Sequence, residues 1–297
     1  MKNKIKKLFL FLIFFLVLFS FIIILISKTS KEQSVDLTSI SSGDSQTIAI
    51  LDTGINNQIL EENKNNIVKV INVIDGSEKI TDELGHGTAL TSLLLGSEQM
   101  NLKGLLPDVN VILIKIADQN GKSTFENLLK GLVMAEKNNA TIINISLGAD
   151  ISNIEVTKKI NDLYKKNITV IAASGDYGDK DILYPANLPT VISVASTDSQ
   201  YNLSKFSNFN ENNICAFPGE NLNMVSINDG VLKKTNELTG TSYATIYASG
   251  YVAAIRDYAV KHNITISNKR LFSILKKNDP LKNKKIITQI NNIFKED

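Results

Sequence analysis

From residue 47 onward the hydrophobic and polar positions follow two alternating rhythms. Short β-branched runs, "TIAIL" (47–51), "NIVKVINVI" (66–74), "VNVILIKI" (109–116), "ATIINISL" (140–147), "NITVIAAS" (167–174) and "TVISVAS" (190–196), predict buried strands. Between them "GTALTSLLLG" (87–96), "TFENLLKGLVMAEKNN" (124–139) and "NIEVTKKINDLYKKN" (153–167) place apolar residues at helical spacing. Strands alternating with helices predict an α/β fold with a mostly parallel central sheet and helices on both faces, a three-layer arrangement. In such sheets reactive groups collect where strands end at their C-terminal edge, so the residues after each run are the ones to inspect.

The start of the chain has a different pattern. Residues 8–27, "LFLFLIFFLVLFSFIIILIS", run for twenty positions without a charge, enough for a helix to cross a bilayer. The following "ISKTSKEQ" offers no A-x-A-like cleavage site, which favours a retained anchor over a removed signal peptide. Lys2, Lys4, Lys6 and Lys7 precede the apolar run, and positive residues stay inside. The expected organisation is a basic cytoplasmic N-terminus (1–7), a transmembrane anchor (8–27), a Ser-rich aperiodic linker (28–46) and an extracytoplasmic domain (47–297) at the cell membrane.

Composition refines this picture in three ways. A chain of 297 residues with 43% apolar content supplies one sizeable domain. Its formal charge of +2 conceals two parts, because residues 1–31 hold six Lys and no acid, leaving 26 basic against 30 acidic residues beyond them. A mildly acidic outer domain lacks the basic face of a nucleic-acid partner, and that class is set aside. Cys215 stands alone, so no internal disulfide is available and the thiol reads as a small buried apolar group; His262 reads as a surface loop residue. Richness in Lys, Asn and Ile suggests a bacterial source.

Three positions at strand ends and helix starts carry candidate chemistry. Asp52 follows "IAIL", His86 opens a helix in "GHGTALTSLL", and Ser242 opens another in "LTGTSYATIYASGYVAAI". A serine hydroxyl is a poor nucleophile until a neutral imidazole takes its proton, and the imidazole needs an anion to fix its tautomer and stabilise its charge. Singly, each has an ordinary reading as turn residue, satisfied polar group or helix cap. Their flanks, "LDTGI", "GHGT" and "GTSYA", resemble the signature segments of the subtilisin-like serine protease family, in that family's order. The resemblance extends over residues 47–295.

This resemblance implies a subtilisin-like fold and a serine-type endopeptidase acting on extended peptides or proteins through Asp52, His86 and Ser242. The backbone N–H of Ser242, at a helix N-terminus, supplies half of an oxyanion hole. The other half implied by the family is an Asn side chain in "AAGN", where this chain reads "ASGD" and carries Asp176. A carboxylate about 3 Å from an oxyanion would repel it by about 5 kcal/mol at an effective dielectric near 20, whereas losing a donor costs about 2.7–4 kcal/mol. The expectation is that Asp176 completes the oxyanion hole by donating when neutral or when substrate desolvates it; the alternative is a side chain turned to solvent on a shifted loop. Ser146, Leu147 and Gly148 should border the groove as an edge that an extended peptide joins. Gly121 should lie on the opposite edge, and Ala173, Ser174 and Gly175 on the pocket floor. Calcium is common in the family, but "GINNQILEENKNN" shows no clear acidic ligand pattern, and no metal is assigned. Ile246 and Tyr247 depart from the family's Pro and His and read as helix-packing positions. An anchored site with a short linker and no room for a large prodomain suits processing of exported peptides or proteins, with general degradation as runner-up. A catalytically impaired peptide binder is the alternative from another class.

Overall fold

Seven strands build the centre: β1 (Thr47–Asp52), β2 (Ile67–Asn72), β5 (Asn110–Lys115), β6 (Ile142–Ile145), β7 (Thr169–Ala173), β8 (Val191–Thr197) and β9 (Cys215–Pro218). They pair in the order β2-β5-β1-β6-β7-β8-β9, every pairing parallel. The structure, a computed structural model, describes residues 37–277 except 78, 214 and 229. The predicted span at residues 8–27 lies outside the described residues, and among the described residues no helix is long and apolar enough to cross a membrane.

Period-two burial makes the three layers. In β1, Ile48 and Ile50 point to one core while Ala49 and Leu51 point to the other. β5 repeats the division with Val111 and Leu113 against Ile112 and Ile114. Residues i and i+2 of a strand share a face, so an unbroken apolar run is buried on both sides and needs a helical layer over each. One layer holds helices α2 (His86–Leu95) and α5 (Thr241–Lys261), after the short α1 (Asn57–Glu62); the other holds α3 (Phe125–Lys137) and α4 (Ile154–Lys165). Helix α6 (Asn268–Lys277) follows α5. The amphipathic α3 and α4 start at N-caps Thr124 and Asn153, whose side chains accept from the first-turn amides. By contrast α5 is buried on every side from Thr241 to Asp257. Its small residues let neighbours approach: a Cβ on Gly250 would meet Leu37 at 3.1 Å and Leu94 at 3.3 Å. Tyr247 is fully buried and stacks on Phe217 at 5.6 Å, the packing role expected from the sequence.

The segment expected to be a linker differs from that expectation at its end. Leu37 is fully buried in the core, and residues 41–45 are fastened to α5. The Asp257 carboxylate accepts from Ser41 Oγ at 2.5 Å, Gly43 N at 2.9 Å and Ser45 N at 3.1 Å, and pairs with Lys261 at 2.8 Å. The serines here supply donors for a buried acid rather than slack. The hydrophobic pattern also leaves unmarked β9, the hairpin of β10 (Met224–Asn228) and β11 (Val231–Thr235), and the two-residue pair β3 (Gly96–Ser97) and β4 (Leu102–Lys103).

Candidate active site

Strand β1 ends on Asp52, which is buried to 1% exposure. Its Oδ1 accepts from His86 Nδ1 at 2.8 Å and from Thr53 N at 2.8 Å. With Nδ1 donating, the other imidazole nitrogen, Nε2, is left as the acceptor. His86 is the first residue of α2, and its neighbours explain the flanking glycines. Gly85 caps the helix at φ 85°, a left-handed conformation that costs Gly nothing. A Cβ on Gly87 would fall 2.3 Å from the Gly54 carbonyl and 3.3 Å from Asp52 Oδ1, so any side chain there would push the acid away from the imidazole.

Two charged groups that the sequence motifs do not single out hold this pair. Asp82, 6% exposed, accepts from Thr53 Oγ1 and Gly85 N through Oδ1, and from Thr88 N and Thr88 Oγ1 through Oδ2, each at 2.8 Å. It thus caps the start of α2 and ties it to the residue after Asp52. Lys115, at the end of β5 beside Asp52, sends its buried Nζ to the carbonyls of Thr53 (2.5 Å) and Thr81 (2.8 Å). The available signals are an acid three residues ahead of a helix-opening Gly and one Lys at the end of an apolar run.

The His86 side chain keeps 24% of its surface exposed. Burial works to lower its pKa, but the charge of Asp52 and the hydrogen bond to it, aided by Asp82 and Asp176, outweigh burial and hold it above the ordinary imidazole value.

Ser242 is the second residue of α5 and 8% exposed. Its Oγ donates to the Ser146 carbonyl at 3.3 Å, so the hydroxyl rests on β6's outgoing edge rather than on His86. The ring of the next residue, Tyr243, lies 5.8 Å from the His86 ring, which brings Ser242, His86 and Asp52 to one end of the sheet. Gly240 precedes α5 and offers no side-chain cap; Asp176 takes that place, its Oδ1 accepting from Thr241 N at 2.8 Å. Asp176 is exposed at one side yet bound at the other, neither turned wholly to solvent nor shifted from the site.

The remaining candidates divide. Leu147, Gly148 and Gly121 line a single cavity of about 540 Å³, together with Phe125, Leu128 and Tyr184. Ser146 sits between this groove and Ser242. Ala173 is 6% exposed at the end of β7, but Ser174 is fully buried, with its Oγ spent on the Asn208 carbonyl at 2.7 Å. Gly175, at φ 118°, packs against Asn208 and Leu183 and donates to Thr241 Oγ1 at 3.4 Å. Ser174 and Gly175 therefore brace the Asp176 turn from beneath rather than open a floor. Among the described residues no group of three or more His, Cys, Asp and Glu side chains is placed to hold a metal ion.

Comparisons with known proteins agree with this architecture. The family model described as "Subtilase family" matches residues 43–282. The major intracellular serine protease of Bacillus subtilis (strain 168) is 31% identical over 222 residues, covering 71% of this chain and 68% of that protein. Thermitase of Thermoactinomyces vulgaris is 27% identical over 222 residues (74% and 78%). The thermophilic serine proteinase of Bacillus sp. (strain AK1) is 26% identical over 241 residues, and there the chain spans only 58% of the relative's length. Among solved structures, the prenylagaramide maturation protease PagA has the same fold at a TM-score of 0.68 and 23% identity, covering 85% of this chain and 91% of that one.

Proposed function

The chain belongs to the subtilase family and is a serine peptidase, and on that premise we propose that it is a membrane-anchored endopeptidase whose acyl transfer is carried by Asp52, His86 and Ser242. The observation that carries the reading is the 2.8 Å bond between a buried carboxylate at a strand end and an imidazole at a helix start, beside the residue that follows Ser242. The mechanism requires Ser242 Oγ to leave the Ser146 carbonyl and reach His86 Nε2. As Oγ adds to the scissile carbonyl carbon, its proton passes to Nε2, and the C=O electron pair moves onto oxygen. The imidazolium, stabilised by Asp52, then returns the proton to the leaving amine. Water repeats the sequence on the acyl-enzyme. The freed Ser146 carbonyl and the edge 146–148 would pair with an extended substrate, whose apolar side chains the 540 Å³ cavity would accept.

A processing role for exported peptides or proteins is supported by the apolar stretch 8–27, which would hold the domain at a membrane, and by likeness of fold to a maturation protease. Purified full-length protein should be labelled at Ser242 by a fluorophosphonate and should cleave members of a peptide library, with Ser242→Ala silent in both assays. Absence of labelling in the wild type would sink the peptidase mechanism. One observation favours a second reading, a peptide binder of impaired chemistry: Asp176 stands where a neutral donor is wanted, and Ser242 is bonded away from His86. Retained peptide binding without labelling would select it.

A further inference from the structure

The position of Asp176 leaves half of the oxyanion site unassigned. Its Oδ1 is engaged as an acceptor by Thr241 N–H, and its Oδ2 lies 3.3 Å from where a Cβ on Gly240 would be. A carboxylate so held caps the helix that carries the nucleophile, a favourable place for negative charge, but it presents acceptors to the cleft and no donor. Beside the same point is the ring of Tyr243, whose Cδ2 and Cε2 lie 3.7 Å from it. That ring is 6% exposed, adjoins Ser242 in sequence, and stands 5.8 Å from His86 at 46°. Its hydroxyl makes no hydrogen bond among the described residues, and it is not one of the buried oxygens left without a partner, so it keeps contact with solvent. The residue as a whole is buried, and its phenol is an unspent donor.

We propose that the phenol of Tyr243 replaces the missing amide as the second oxyanion donor, and that Asp176 serves as the cap of the nucleophile's helix. This inference rests on the proposed peptidase mechanism. In the tetrahedral intermediate the carbonyl oxygen, having taken the C=O electron pair, accepts from Ser242 N–H and from Tyr243 O–H. No proton is transferred to it. Burial, with the charges of Asp52 and Asp176, pushes the phenol above its ordinary pKa, so it remains protonated and a donor throughout the working range. An ordinary alternative is that Tyr243 merely fills space beside His86; Phe would fill the same space.

The test compares four full-length proteins: wild type, Tyr243→Phe, Asp176→Asn and the double variant. Fluorophosphonate labelling and peptide cleavage by the wild type establish the peptidase mechanism independently of the three variants. Tyr243→Phe should keep its melting temperature and KM while kcat falls about 10²- to 10³-fold, the loss typical of one oxyanion donor. The acid limb of its pH profile, set by His86, should not move. Adding Asp176→Asn to Tyr243→Phe should recover at least about tenfold in kcat, because an amide then supplies the donor. A Tyr243→Phe enzyme within about threefold of wild-type kcat, or a double variant with no recovery, overturns the assignment while leaving the peptidase mechanism intact. Failure of the wild type to label or cleave overturns both.

Discussion

Asp52, His86 and Asp176 work against one another as well as together. The carboxylate of Asp52 raises the His86 pKa, yet in the proposed mechanism His86 must be neutral to take the Ser242 proton. Activity should therefore rise with pH through a limb above the ordinary imidazole value, while the stability that protonated His86 contributes is complete below its unfolded pKa and lost through the same interval. Asp52→Asn should lower kcat by about 10⁴-fold and shift the acid limb of kcat/KM downward; an unmoved limb would detach Asp52 from His86. Asp176→Asn should raise turnover at about pH 7–8, since an acceptor near the developing oxyanion becomes a donor. It should also cost about 0.3–1 kcal/mol of stability through the lost charge at the helix start. Stopped-flow turnover and thermal melts of the same preparation read both. Asp52, His86, Ser242 and Asp176 are legible in the sequence because their chemistry and flanks are local. Asp82 and Lys115 are not, because their roles exist only once the loop 81–85 and the start of α2 fold over Thr53.

At the scale of elements, legibility follows burial. Strands β1, β5, β6, β7 and β8 are buried on both faces, so nothing competes with their apolar signal. β9 reads "CAFP", too short and too Pro-bound to stand out, and β11 has no buried residue at all. The segment at 37–45 hides for the opposite reason: serines and a glycine look like slack until a buried acid is found beneath them. Asp257 is fully buried, and although burial raises its pKa, the bonds from Lys261, Ser41, Ser45 and Gly43 hold it well below the usual carboxylate range. The stabilisation is present above the unfolded carboxylate pKa near 4 and lost as pH falls through the depressed native value. Asp257→Ala should cost about 1–3 kcal/mol, because Ser41 Oγ and the amides of Gly43 and Ser45 lose their acceptor while Lys261 keeps Asp44. Urea melts at neutral pH would measure it, and the difference from wild type should shrink with acidification.

For the whole molecule, order β2-β5-β1-β6 sets strands beside partners distant in sequence and brings the ends of β1, β6 and β7 to one rim with the starts of α2 and α5. That convergence can be foreseen as a class of fold, but the neighbours of each strand cannot, since periodicity carries no information about order. The charge division of the sequence leads to a prediction at the same scale. Full-length protein should sediment with membranes and resist salt extraction, while a chain lacking residues 1–34 should be recovered in the soluble fraction with its peptidase activity. Equal partition of the two forms would remove the anchor from the proposal.

The clamp at Asp257 has a geometric consequence for self-processing. It fastens Ser41 to the same helix that bears Ser242, fifteen residues further along, a separation of about 22 Å at the α-helical rise. An extended chain needs about seven residues to cover that distance. Any cut this molecule makes in its own upstream strand must fall at least that far ahead of Ser41; bonds nearer to it can be reached only by another copy.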